Sequence, residues 1–221
     1  MNSELPLPAQ ATIGVLGAGR VGTAVARQAL KAGYRVNVAT SKPADEISLI
    51  VEVVVPGAHA VAAAEAATAD LVVVAVPLHK YRTLDPALLA GKTVIDVMNY
   101  WPTTDGDIDE FIDDPRGSSE VIAGFLAGAQ VVKSLNHIGY HDLEEDGRPS
   151  GGDGRRALAL AGDHGGAKAM VATFIDRLGY DSFDAGPLAA GRHFGPGTEI
   201  FNGRHSLGQM SALFAEATVA A

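Results

Sequence analysis

Unbroken apolar runs alternate with helical periodicity along most of the chain. Residues 11–17, ATIGVLG, read as a buried strand, and VGTAVARQALKAG (21–33) places apolar positions at helical spacing, with Gly33 as its stop. YRVNVAT (34–40) predicts a second strand. PADEISLIVEVVV (43–55) predicts a helix, with Pro43 in its first turn and Asp45 and Glu46 near its positive end. A short Ala-rich helix follows in AVAAAEAATA (60–69). DLVVVAVP (70–77) is apolar throughout, as a strand covered on both faces must be.

After LDPALLAGK (84–92) comes the strand TVIDVMN (93–99), and the polar residues 100–118 predict a long loop with a functional role. SSEVIAGFLAG (118–128) reads as a serine-capped helix, QVVKSLN (130–136) as a strand, and residues 139–154 as a second long loop. Strand, helix and strand resume in RRALALAGD, GAKAMVATFIDRLG and YDSFDAGP, and the last 30 residues predict a turn-rich segment and one helix. Strands alternating with helices predict an α/β fold: a doubly wound parallel sheet of Rossmann type with a short C-terminal helical extension, residues 1–221 forming a single domain.

The glycine spacing adds chemistry to that frame. Gly17, Gly19 and Gly22 fall in GAGRVG, together with Ala18, Arg20 and Val21, between the first strand and its helix. A dinucleotide fold needs a tight turn at the first glycine, close backbone approach to a pyrophosphate at the second, and helix-on-strand packing at the third. The helix start then offers free N–H groups to the phosphates. An NAD site carries a carboxylate at the end of the second strand, about 20 residues on. Here Thr40, Ser41 and Lys42 stand there, and the first acid is Asp45. Hydroxyls and a cation suit a 2′-phosphate. At ~1.5–3 kcal/mol for each hydrogen bond to a charged partner, one or two give a ~10- to 1000-fold preference for NADP(H).

Composition removes other classes. The chain has no cysteine, so disulfides, iron–sulfur clusters and thiolate nucleophiles are excluded. A net charge of −9 without a basic stripe argues against nucleic acid. The start, MNSELPLPAQ, shows no leader, and no apolar run is long enough for a membrane span, so a cytoplasmic protein is expected. The two histidines of HIGYH lack a third ligand, and no metal site is assigned. An apolar stripe at Met210, Leu213, Phe214 and Ala217 on the last helix predicts a homodimer.

The chain resembles the NADPH-dependent reductases of the deazaflavin coenzyme F-420, the F-420-dependent NADP oxidoreductases. The likeness is carried by GVLGAGRVG, VATSK, DLVVVAVPLHKY, LAGKTVIDVMNYW, VVKSLNHI, ALAGD and, most specifically, FDAGPL at 183–188. The cytosolic domain of the membrane metalloreductases is similar in VIDVMN and VVKSLN. The resemblance implies hydride transfer between NADP(H) and coenzyme F-420 or a flavin-type acceptor, a small-molecule redox partner stacked on the nicotinamide. Residues 9–137 would form the NADP-binding core and 138–221 would complete the acceptor site. Position by position it implies Ser41 and Lys42 at the 2′-phosphate, Val76, Pro77 and His79 on the adenosine and ribose side, and Asn99 at the nicotinamide ribose. Asn136, His137 and Ile138 would meet the nicotinamide and the acceptor ring, with Asn136 and His137 as catalytic positions. His137 is a candidate proton or hydrogen-bond donor, since imidazole titrates near ~6.5. Two other readings stay open: another small-substrate NADP-dependent reductase, of imine or β-hydroxyacid type, and a non-catalytic NADP-binding sensor.

Overall fold

The structure, a computed structural model, describes residues 7–112 and 114–219. The leader-free reading of the first residues falls largely outside that range. In chain order the strands and α-helices are β1 (Thr12–Leu16), α1 (Arg20–Lys31), β2 (Arg35–Ala39), α2 (Ala44–Val54), β3 (His59–Ala60), α3 (Ala63–Ala66), β4 (Leu71–Val74), α4 (Pro86–Leu89), β5 (Thr93–Asp96), α5 (Pro102–Asp105), α6 (Asp109–Ile112), α7 (Ser118–Phe125), β6 (Gln130–Ser134), α8 (Tyr140–Glu145), β7 (Ala157–Gly162), α9 (Gly165–Leu178), β8 (Asp181–Asp184) and α10 (Leu207–Val219). One 3₁₀ turn spans Leu78–Thr83 after β4 and another Leu188–Phe194 after β8.

The strands form one sheet in the order β3-β2-β1-β4-β5-β6-β7-β8. Alternate residues of β4 enter opposite cores. Leu71 and Val73 pack with α1 and α9, while Val72 and Val74 pack with α3, α4 and α7. That division is the reason β4 has no polar position. A smaller core on the far side of β7 joins Ala157, Ala159 and Ala161 to Phe194, Ile200 and Met210.

One pairing departs from the all-parallel expectation: β6 and β7 are antiparallel, with Ser134 opposite Leu160. β7 and β8 then pair parallel to each other through the α9 crossover. A parallel β6–β7 crossover would have to carry the chain back along the sheet. The only helix between these strands, α8, has six residues, roughly 9 Å of rise. The chain therefore turns into β7 at the edge where β6 ends.

Both segments expected to be long loops contain short helices, α5 and α6 in 100–118 and α8 in 139–154. β3, with two residues, was not legible. The basis for the homodimer also changes. Met210 is buried, and Leu213 and Phe214 pack against the chain's own β7–β8 layer, with Phe214 5.4 Å from Phe183 between ring centroids. Met210, Leu213 and Phe214 of the stripe that predicted a second copy thus pack within the chain. Among the described residues, the large apolar side chains most open to solvent are Leu49, Ile50 and Val53, on the outer face of α2. No helix among the described residues is long and apolar enough to cross a membrane.

Candidate functional site

The parallel strands β1, β4 and β5 end at one edge of the sheet, and a cleft of about 950 Å³ opens there. Its walls include Gly17 to Val21, Thr40, Ser41, Val76, Pro77 and Asn99. Strand ends at such an edge are where doubly wound sheets hold ligands.

The three glycines of the first turn have different duties, and the backbone shows each of them. Gly17 has φ +118°, its N–H donates to the Ala39 carbonyl at 2.8 Å, and a Cβ there would collide with the Ala75 carbonyl. A Cβ on Gly22 would strike the Gly17 carbonyl, so α1 packs against the turn only through a glycine. Gly19 has nothing within 4 Å of where its Cβ would stand. Its backbone faces open space at the mouth of α1, which has no acidic residue in its first turn and no side-chain cap. An anion can approach these N–H groups directly. The arrangement fits a dinucleotide pyrophosphate.

At the end of β2, Thr40 and Ser41 line the cleft, and Lys42 follows as an exposed side chain. The Lys42 amide donates to Thr40 Oγ1 at 3.1 Å. Arg20 lies on the facing wall, its guanidinium 5.8 Å from the centre of the Tyr140 ring. Thr40, Ser41 and Arg20 thus border the same cleft, and Lys42 stands next in the chain to Ser41.

His79 does not line the cleft. Its Nδ1 lies 2.8 Å from Asp105 Oδ1, and its backbone N–H donates to the same oxygen at 3.2 Å. Asp105 does line the cleft, and its Oδ2 accepts from the Trp101 N–H at 2.9 Å. Burial pushes the Asp105 carboxyl up, but the Trp101 and His79 hydrogen bonds outweigh it and hold the group below its usual range. His79 thus braces the cleft-lining Asp105 from behind.

The end of β6 also differs from expectation. Asn136, His137 and Ile138 are all buried and none lines the cleft. Asn136 Nδ2 donates to Asn99 Oδ1 and to the Phe194 carbonyl, both at 3.1 Å, while Asn99 Nδ2 donates to the Asn136 carbonyl at 2.7 Å. His137 Nε2 accepts from the Ala159 N–H of β7 at 3.0 Å. Nδ1 then carries the ring proton, 3.3 Å from Asn136 Oδ1. Burial, followed by the charges of Arg156, Lys133 and His205, drives its pKa down to about 3. The ring is neutral at physiological pH and both nitrogens are engaged inside the protein. The expected role of His137 as proton donor is corrected accordingly.

One buried network has no counterpart in the sequence reading. Lys133 is buried and donates to the Met98 carbonyl, with its Nζ 3.5 Å from Asp96 Oδ2. Asp96 also takes the Ser119 hydroxyl at 2.5 Å and the Met98 N–H at 2.9 Å. This buried network fixes the Met98–Asn99 bend where β5 meets the cleft. The only signal was a charged residue inside each of two apolar strands. Beside this network Trp101 lines the cleft and packs edge-on against Phe201 at 5.7 Å.

Residues 12–100 match the family model described as NADP oxidoreductase, coenzyme F420-dependent. Among solved structures, a hypothetical protein of Sinorhizobium meliloti is 26% identical, with TM-score 0.73, 89% of this chain and 95% of that one being covered. A candidate F420-dependent NADP reductase from Arthrobacter sp. FB24 is 28% identical, with TM-score 0.69 and coverage of 82% and 87%. The 3-hydroxyisobutyrate dehydrogenase of Mycobacterium tuberculosis shares the fold at 18% identity and TM-score 0.58, with 83% of this chain matching 57% of that one. No curated protein matches the chain. Residues 12–100, from β1 to the end of β5, thus carry the sequence pattern of the coenzyme F420-dependent NADP oxidoreductases on a Rossmann-type fold.

Proposed function

We propose that the protein is an NADPH-dependent reductase that passes a hydride to a planar deazaflavin or flavin-type acceptor. One pairing carries the reading: an open glycine turn at Gly19, and a β2 end that presents Thr40, Ser41 and Lys42 with no carboxylate. The family match over residues 12–100 and the Arthrobacter relative support it.

NADPH would supply the hydride, and the chain's residues bind, orient and exclude water. Gly17 to Gly22 would take the pyrophosphate, Ser41 and Lys42 the 2′-phosphate, and Val76 and Pro77 the wall beside the ribose. Asn99 is the polar group at the β5 end of the cleft, and Asn136 positions it from behind. Residues 138–221 reach this end through the Phe194 carbonyl on Asn136 and Phe201 on Trp101, which supports their part in the acceptor site.

Anaerobic NADPH oxidation with deazaflavin, FMN and ferric chelates supplied in parallel tests the reading. Turnover with a planar ring is the expected result. Tight NADPH binding without turnover of any acceptor would mark a sensor instead.

A further inference from the structure

We propose that Trp101 is the stacking platform for the aromatic ring of the acceptor. The inference rests on the reductase reading and specifies the acceptor as a planar π system.

Trp101 is 43% exposed, an unusual degree for the chain's single tryptophan, and it borders the cleft. It is nevertheless firmly placed. Its N–H donates to Asp105 Oδ2, and its carbonyl accepts from the Thr104 and Asp105 N–H groups at 2.8 and 2.7 Å. His79 holds Asp105 from the other side. Phe201 meets the indole at an interplanar angle of 68°, so the contact is edge-to-face and not a stack. A large indole surface is thus exposed although its backbone has been fixed.

A rigid, exposed indole at a cleft wall offers a large π surface at little entropic cost. Its place in the fold decides which ring it meets. Trp101 follows Asn99 by two residues at the end of β5, whereas the β2 corner with Thr40 and Ser41 lies across β1 and β4 in the sheet order. The adenosine half belongs to that corner. The indole, joined by Phe201 to the C-terminal segment, stands on the side left for the second ring.

The test uses riboflavin as probe, excited in the visible where tryptophan does not absorb, with NADP⁺ at saturation. Riboflavin emission should fall saturably with the unmodified protein and stay unquenched with Trp101→Leu. The acceptor KM in that variant should rise about tenfold, the loss of roughly one ring stack, while NADP⁺ affinity by calorimetry is unchanged. Equal quenching by both proteins, no quenching by the unmodified protein although NADP⁺ binds, or a loss of NADP⁺ affinity in the variant would each overturn the proposal. Failure of NADP⁺ to bind either protein would strike the reductase reading alone, and riboflavin quenching measured without NADP⁺ would still decide the role of Trp101.

Discussion

Asn99 and Asn136 hold each other by two hydrogen bonds, side chain to carbonyl at 2.7 Å and side chain to side chain at 3.1 Å, across the ends of β5 and β6. Asn99 faces the cleft and Asn136 does not. A polar residue at the edge of the cleft is thereby oriented by a buried one.

Asn136→Leu should reveal that relationship. It removes the donor to Asn99 Oδ1, which can turn to the cleft, and to the buried Phe194 carbonyl, which is left without a partner at a cost of about 1–3 kcal/mol. Urea midpoints should shift down by that order. Turnover should drop ten- to a hundredfold, as about 1 Å of misplacement permits, while calorimetric NADPH affinity changes little because the phosphates are held elsewhere. Unchanged turnover would detach the β6 end from the chemistry.

His137 sets a pH dependence of stability. Its folded pKa is about 3, against about 6.5 when unfolded. Between those values the unfolded chain binds one more proton than the folded one, so stability is full above about pH 6.5 and is lost as pH falls toward 3. The slope from this residue is up to about 1.4 kcal/mol per pH unit. Asp105 and Asp142, whose folded pKa values are also depressed, act in the same direction at lower pH. His137→Gln, which keeps an acceptor for the Ala159 N–H, should flatten urea midpoints measured from pH 7.5 to 4.5. Equal slopes in the two proteins would refute the assignment.

The first and third glycines of the turn should fail differently from the second. Gly19→Val meets no atom and has an ordinary extended backbone, so the protein should fold with a native circular dichroism spectrum and lose dinucleotide binding. Gly22→Val should lower the melting temperature or prevent folding, since its side chain enters the space of the Gly17 carbonyl. A folded Gly19→Val protein that binds NADPH normally would remove the turn from the site.

Cofactor preference should reside at the end of β2. NADPH is expected to bind at least ~10-fold tighter than NADH, and the double change Ser41→Ala with Lys42→Ala to erase most of that difference without weakening NADH. Competition calorimetry measures both. Equal affinities in the unmodified protein would refute the 2′-phosphate reading.

The glycine turn, the apolar β4 and the missing carboxylate after β2 are legible in short stretches of the chain. Each of these depends on residues close together in the chain: a backbone that must turn at Gly17, a strand buried on both faces, a side chain present or absent at 40–42. The surroundings of Asn136, His137 and His79 follow from long-range folding alone. His137 reads as a candidate proton or hydrogen-bond donor until β7, entering antiparallel, brings the Ala159 N–H to its ring from 22 residues away. His79 reads as a ribose contact until α5 folds Asp105 onto it, and α5, a four-residue helix, persists through such contacts rather than through its own propensity. The stripe on α10 was equally ambiguous, because periodicity shows that a helix has an apolar face but not which surface covers it. Burial and hydrogen-bond partners at these positions come from segments distant in sequence, and local pattern carries no record of them.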